Sequence, residues 1–359
     1  MEGLVSASFW SGRRVFVTGQ TGFKGAWLSL WLTRLGARVT GYALAPEAGP
    51  SLFRDAGVAD GIQHLEADVR DLPYLRRALA ASDSEVVLHL AAQSLVRRGY
   101  REPVETYATN VLGTANLLEA VRHSPSVRAA VVVTSDKCYE DRDWPRGYRE
   151  DDRLGGRDPY ANSKACAELV TQAFRDSYFM AGGPRVATAR AGNVVGGGDW
   201  SEDRLVPDVY RALLADQPVW LRNPKAVRPW QHVLESLSGY LVLAQRLMAE
   251  DGAALAEAWN FGPDDADTCT VQEVVEKLLA RWNPPGRWQQ DPEEHPHETY
   301  LLRLDSSHAR QRLGWRPKLS LGETLAWVDE WYAACRIGAD LRAATLAQLD
   351  RYAVVACAQ

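Results

Sequence analysis

The sequence predicts an α/β fold, a doubly wound parallel Rossmann-type sheet with a smaller C-terminal substrate lobe. Short apolar runs alternate with helical patterns from residue 14 to residue 191. The first apolar run breaks at a glycine and passes directly into a helix. Beyond residue 191 the alternation loosens, and Pro, Trp and Arg become frequent. Residues 1–191 therefore read as the sheet domain, with a returning segment near 232–260. Residues 192–231 and 261–335 read as the smaller lobe, and 336–359 as a helical tail to which no role is assigned.

Val15, Phe16 and Val17 form a buried parallel strand by their unbroken apolar character. Gly19, Gly22 and Gly25 follow, with Thr21, Phe23 and Lys24 between them, in G-x-x-G-x-x-G spacing. A strand that turns at glycine into a helix offers free N–H groups to a phosphate. Gly19 permits the sharp turn, Gly22 lets backbone approach a pyrophosphate, and Gly25 lets the helix pack closely. The second strand, 37–44, ends without the Asp or Glu that such folds use for ribose hydroxyls. Arg54 beyond it is either a surface side chain or a partner for a 2′-phosphate. At the end of the third strand, Asp68 and Val69 occupy a ligand-binding position, and Asp71 suits a helix cap. The fourth strand starts at Val86 and ends in Leu90, Ala91, Ala92 and Gln93, small enough to pass close to a flat cofactor. His89 within it reads as a satisfied core histidine. One long helix is expected over 104–121, carrying Thr109, and another from about Pro159 to 178. Between them the fifth strand, 129–133, ends in Thr134, Ser135, Asp136 and Lys137. The sixth strand, 185–191, leads to Asn193.

The net charge of −5 gives no reason to expect nucleic acid or an anionic membrane as partner. No apolar run approaches the roughly 18 residues of a membrane span, and no secretory signal opens the sequence. Five scattered cysteines without C-x-x-C spacing read as reduced thiols of a cytoplasmic protein. His295-Pro296-His297-Glu298 has the look of metal-ligand spacing, but the proline blocks a helix and no cysteine joins it. No metal is expected there.

Tyr160 and Lys164, four apart on a helix, share one face. An ammonium beside a phenol favours the phenolate, which makes Tyr160 a general base and Lys164 its activator. Together with the glycine turn and Ser135, this pair resembles the extended short-chain dehydrogenase/reductase superfamily. Four further stretches resemble its CDP-glucose 4,6-dehydratase family: Thr21–Gly25, Ser135–Tyr139, Ala191–Trp200 and Arg228–Val233. The likeness runs from about Phe9 to Trp331.

The resemblance implies catalytic use of NAD on CDP-D-glucose. Tyr160 takes the 4-hydroxyl proton, Asp136 acts as acid at the 6-hydroxyl, and Lys137 takes the C5 proton, where dTDP-glucose dehydratases carry a glutamate. A lysine serves as base only as the free amine, a form that burial and a nearby Lys164 charge favour. Asn193, Arg204, Asn223, Arg228, His232 and His297 are implied to hold the substrate. Trp200 or Trp230 either walls the base or simply packs. The two long helices are implied to pair in a homodimer, alone or as a dimer of dimers. Gln20 departs from the family's usual histidine but still offers donors, so a small effect on cofactor affinity is expected; the missing acid after the second strand leads us to expect loosely held NAD. Two other readings stay open: a nucleotide-sugar epimerase or decarboxylase, which needs no acid–base pair at 136 and 137, and a non-catalytic dinucleotide-binding protein.

Overall fold

The computed structural model describes residues 4–142, 144–180, 182–282, 287–295 and 299–357. Its centre is a seven-stranded sheet in the order β7-β6-β5-β4-β1-β2-β3. The strands are β1 (Arg14–Thr18), β2 (Arg38–Ala43), β3 (Gln63–Glu66), β4 (Val86–His89), β5 (Ala129–Val133), β6 (Arg185–Arg190) and β7 (Ala258–Asn260). Every neighbouring pair in it runs parallel. β5, Ala-Ala-Val-Val-Val, is buried along its whole length, as a strand covered on both faces must be. Val15 and Val17 face one core, and Phe16, Val87 and Val132 face the other.

Helices α1 (Phe23–Arg34), α2 (Leu72–Ser82) and α4 (Pro159–Phe174) begin where the sequence supplies a turn or a cap. Asp71 accepts from the Tyr74 N–H at 3.0 Å and Asp158 from the Ala161 N–H at 2.9 Å. The helix expected over 104–121 spans 103–122 (α3) but widens into a π-type turn at Ala108–Leu112. Asn110 in that turn accepts from the Gln93 N–H at 2.8 Å and donates to the Gln93 carbonyl at 2.9 Å and to Ser163 Oγ at 2.8 Å. The local widening thus ties α3 to the end of β4 and to α4, a common use of such turns.

The smaller lobe holds helix Leu205–Leu214, helix Val271–Arg281 and short paired strands, among them Val219–Leu221 against Trp288–Gln290. Between its two parts the chain returns to the sheet: α5 (Val233–Leu247) packs on β5 and α1, and β7 extends the edge. No helix of the described residues is long and apolar enough to cross a membrane.

α6 (Leu321–Arg336) and α7 (Leu341–Cys357) close the core beside α1. Trp31 of α1 meets Tyr352 of α7 edge to face at 5.6 Å, and Trp331 Nε1 donates to Thr345 Oγ1 at 3.0 Å. Tyr352 also gives its hydroxyl proton to buried Glu235 Oε2 at 2.7 Å. The other oxygen of Glu235 accepts the Lys318 and Leu319 N–H groups at 2.9 and 2.8 Å. The tail is therefore part of the core.

Burial pushes the Glu235 carboxyl up from 4.5 to about 7 despite these donors. The folded chain therefore binds a proton that the unfolded chain lacks between those values. The associated stability is full below pH 4.5 and lost as pH rises through 7. Glu235→Gln keeps an acceptor for the two N–H groups, and its amide can donate to the Tyr352 oxygen while Tyr352 gives its proton to Ser238 Oγ at 3.1 Å. Urea unfolding at pH 5 and pH 8 should show the variant gaining on the parent by about 2–3 kcal/mol at the higher pH. An equal difference at both pH values would show that Glu235 does not titrate in this window.

Candidate active site

The strand order reverses between β1 and β4, and the crevice beyond their carboxyl ends is where such sheets bind ligands. Gly19 turns there with φ +78°, and a Cβ on it would lie 2.6 Å from the Ala91 nitrogen. α1 starts beside it at Phe23, and Gly22 supplies no side-chain cap, so first-turn N–H groups remain available to an anion. A cavity of about 600 Å³ opens over this turn.

Gly19, Thr21, Gly22, Phe23, Lys24, Gly25, Asp68, Val69, Leu90, Ala91, Ala92, Gln93, Thr109, Thr134, Ser135, Tyr160, Lys164 and Asn193 all line it. The open helix start suits a diphosphate, and the close backbone at Ala91 suits a flat ring. The Asp68 carboxylate is already engaged by Arg70 at 2.6 Å. Arg54 folds back onto the carbonyls of Pro46 and Glu47, exposed, which is the surface reading. His89 lies between Thr18 at 2.7 Å and Thr114 at 3.3 Å, and burial pushes it down to about 3, a neutral core residue. Gln20 turns away from the cavity: its Nε2 meets His64 Nδ1 at 3.0 Å beside Gly41.

Ser135 caps the turn Asp136–Cys138, accepting from the Lys137 N–H at 3.2 Å and donating to Asp136 Oδ1 at 3.0 Å. Asp136 is 2% exposed, and its Oδ2 has no hydrogen-bond partner among the described residues. Gly192 makes room for that carboxylate, since a Cβ there would overlap Oδ2. Asp136, Lys137, Tyr160 and Lys164 line the same cavity.

The expected charge pairing of Tyr160 with Lys164 takes a different form. Lys164 Nζ donates to the Val133 carbonyl at 3.1 Å, and burial lowers its ammonium to about 8. Burial raises the Tyr160 phenol to about 12, opposed by a Ser135 hydrogen bond and the Arg204 charge. The one proton of Ser135 is given to Asp136 in this state, so the Arg204 charge favours the phenolate and Lys164 stands back.

On the opposite wall, Arg204 pairs with Asp199 at 3.1 Å and reaches Ser94 Oγ at 2.9 Å. Asn223 and Arg228 line the cavity, Arg228 donating to the Val227 and Tyr300 carbonyls at 2.9 and 3.2 Å. His232 does not face the nucleotide space. It is fully buried, packed edge-on to Trp27 and Trp327, and its Nδ1 caps α5 by accepting from the Leu234 N–H. His297 lies outside the described residues. Trp200 and Trp230 both line the cavity; Trp230 is buried and donates to the Cys269 carbonyl at 3.2 Å, and Trp200 packs edge-on to Tyr332.

Three groups were not singled out from sequence. Trp220 lines the cavity yet stays 53% exposed. Tyr240 of α5 accepts from Lys24 Nζ at 2.8 Å. Glu168 accepts from Arg190 at 2.9 and 3.0 Å and from Thr188 at 2.6 Å, with Thr134 as a further donor. Its place four beyond Lys164 was the one available signal.

The family model described as GDP-mannose 4,6 dehydratase matches residues 16–327. The chain belongs to that family. It is 49% identical over 354 residues to the CDP-glucose 4,6-dehydratase of Salmonella typhimurium, covering 97% of this chain and 98% of that protein. It is 28% identical over 334 residues to the dTDP-glucose 4,6-dehydratase of Mycolicibacterium smegmatis, covering 89% and 93%. Among solved structures, the dTDP-glucose 4,6-dehydratase of Streptomyces venezuelae with NAD and TYD bound superposes with a TM-score of 0.75 at 25% identity. That match covers 92% of this chain and 99% of that one.

In this family member, Gly192→Ala tests how tightly Asp136 is seated. The methyl group has to displace a buried carboxylate, so urea unfolding should report a loss of about 1–3 kcal/mol. An unchanged midpoint would mean that the carboxylate has a second place to lie.

Proposed function

We propose that the protein converts CDP-D-glucose to CDP-4-keto-6-deoxy-D-glucose and water, with NAD unchanged after each turnover. The observation that carries this reading is the buried, unpartnered Oδ2 of Asp136, with Lys137 beside it, in the cavity of Tyr160 and Lys164. The similarity to a CDP-glucose 4,6-dehydratase over nearly the whole chain supports the choice of nucleotide sugar. An epimerase on the same fold has no use for that acid–base pair.

The turn from Gly19 to Gly25 would hold the diphosphate of NAD, and Val69, Leu90 to Gln93 and Thr109 would flank the rest of it. A nicotinamide held there would supply the hydride acceptor for sugar C4 and the hydride donor for C6. Tyr160 accepts the 4-hydroxyl proton as the 4-ketone forms, helped by the Arg204 charge and by Ser135 once its proton turns from Asp136 to the phenol oxygen. The ketone acidifies C5–H, and Lys137 takes that proton as the free amine. Asp136, protonated, gives its proton to the departing 6-hydroxyl. Two protons leave the sugar and two go back, one in the water and one at C5. Asn193, Arg204, Asn223 and Arg228 hold the diphosphate and sugar from the facing wall.

Asp136→Asn is the direct test. Formation of the 4-keto-6-deoxy product should fall at least about 100-fold, while reduced-nicotinamide absorbance still appears on mixing with CDP-glucose. Product at the parent rate would overturn the assignment of Asp136.

We also infer a homodimer. Val104, Tyr107 and Leu112 on α3 and Leu169 on α4 are apolar and exposed, on two helices that pack side by side. Such a face supports pairing about a two-fold axis, with a dimer of dimers as the next level. The free cysteines fit a reducing, cytoplasmic setting. Light scattering at micromolar concentration should give twice the chain mass, and Leu169→Glu should give the chain mass alone. A parent monomer would overturn the inference.

A further inference from the structure

Ser135 touches two of the groups that exchange protons with the sugar. Its hydroxyl donates to Asp136 Oδ1 at 3.0 Å, and it is hydrogen-bonded to the Tyr160 phenol. The Lys137 N–H, at 3.2 Å, holds its oxygen in place. Ser135, Asp136 and Tyr160 are all buried, which keeps bulk water from them. The two oxygens of Asp136 are unlike: Oδ1 receives from Ser135, and Oδ2 has no partner among the described residues. A protonated carboxyl set in this way can release a proton from one oxygen while the other takes one up.

The dehydration proposed above, on which this inference rests, ends with its protons displaced. Lys137 is restored when C5 regains its proton, but Tyr160 keeps the 4-hydroxyl proton and Asp136 has lost its own. We propose that Ser135 relays the proton from Tyr160 to Asp136 and so restores both groups within each turnover. As Asp136 Oδ2 gives its proton to the departing 6-hydroxyl, Oδ1 takes the proton of Ser135, and Ser135 takes that of Tyr160. Each O–H bond broken is matched by one formed. The C5–H pair becomes the C5–C6 double bond, the C6–O pair leaves with the water, and no other reactant is needed. Tyr160, pushed up to about 12, is still a stronger acid than the water formed, at about 15.7, so the passage runs downhill. A half-turn of the Asp136 carboxyl then brings its proton back to the sugar side, and Gly192 sets no side chain against that turn. The sugar thereby supplies, at O4, the proton that its own dehydration consumes.

The test follows product on the full chain with NAD and CDP-glucose, at the first turnover and at steady state. In Ser135→Ala, Asp136 has to recover its proton from solvent. Product should appear in a burst of one per site, followed by a steady rate at least about tenfold slower. That steady rate should rise with the concentration of a weak-acid buffer. Ser135→Thr keeps the hydroxyl and should show neither the burst nor the buffer response. Equal slowing of first and later turnovers in Ser135→Ala, indifferent to buffer, overturns the proposal and leaves Ser135 a positioning residue for Tyr160. A burst in Ser135→Thr as large as in Ser135→Ala overturns it too. The parent decides without either variant: a steady rate that climbs with buffer means that solvent reloads Asp136, and the relay fails. A parent that forms no 4-keto product fails the dehydration reading itself, a result distinct from product made without the relay.

Discussion

The site exists because two backbone segments come closer than a side chain allows. The turn after β1 lies against the chain leaving β4, and only a glycine at 19 fits against the Ala91 nitrogen. The contact is reinforced from below. Thr18 Oγ1 accepts from the Ala91 N–H at 3.1 Å and meets His89 Nδ1 at 2.7 Å, and His89 reaches Thr114 on α3. Burial keeps His89 neutral between these hydroxyls. A core histidine with no part in the chemistry thus fixes the floor on which a cofactor would lie.

A second constraint holds the catalytic edge. Tyr160, Lys164 and Glu168 follow one another at helical spacing on α4, the first two lining the cavity and the third facing the sheet. Burial pushes the Glu168 carboxyl up, but the Arg190 guanidinium and the Thr134 and Thr188 hydroxyls hold it below the usual range. Arg190 continues the chain to the Tyr139 hydroxyl at 2.7 Å, which donates to Asn260 of β7 at 2.7 Å. These bonds lock the carboxyl ends of β5, β6 and β7 together. Ser135 and Asp136 leave the first of these ends, and Gly192 and Asn193 leave the second. A fully bonded ion pair of this kind adds less net stability than it costs to break. Its value is that it leaves those loops one arrangement.

The strands and the glycine turn were legible because buried parallel strands are continuous apolar runs and a phosphate turn needs glycine at fixed places. The cavity residues were legible for a related reason, since they sit at strand ends where the fold brings ligands. The rest depended on neighbours far along the chain. His232 looks polar and available in sequence, yet the tryptophans at 27 and 327 enclose it. The π-type turn at Asn110 exists to meet Gln93, and no local pattern records that. The spacing of Tyr160 and Lys164 gave their shared face correctly. It carried no information about Lys164 Nζ choosing the Val133 carbonyl. The tail's role came from Tyr352 finding Glu235, more than a hundred residues away.

What distinguishes this cavity from a merely well-packed cleft is that its charges are left uncompensated. An unsatisfied buried acceptor costs on the order of 1–3 kcal/mol, and Asp136 Oδ2 is one. Lys24 offers donors within electrostatic reach of it, yet the ammonium bonds Tyr240. A chain selected for stability alone would let that carboxylate and that ammonium meet. Here the capping bond from Ser135 and the open space at Gly192 hold the carboxylate back, and Tyr240 holds the ammonium. A polar cavity kept unpaired in this way is complete only with a ligand that bonds Asp136 Oδ2 and faces Lys24. A packing residue can do neither.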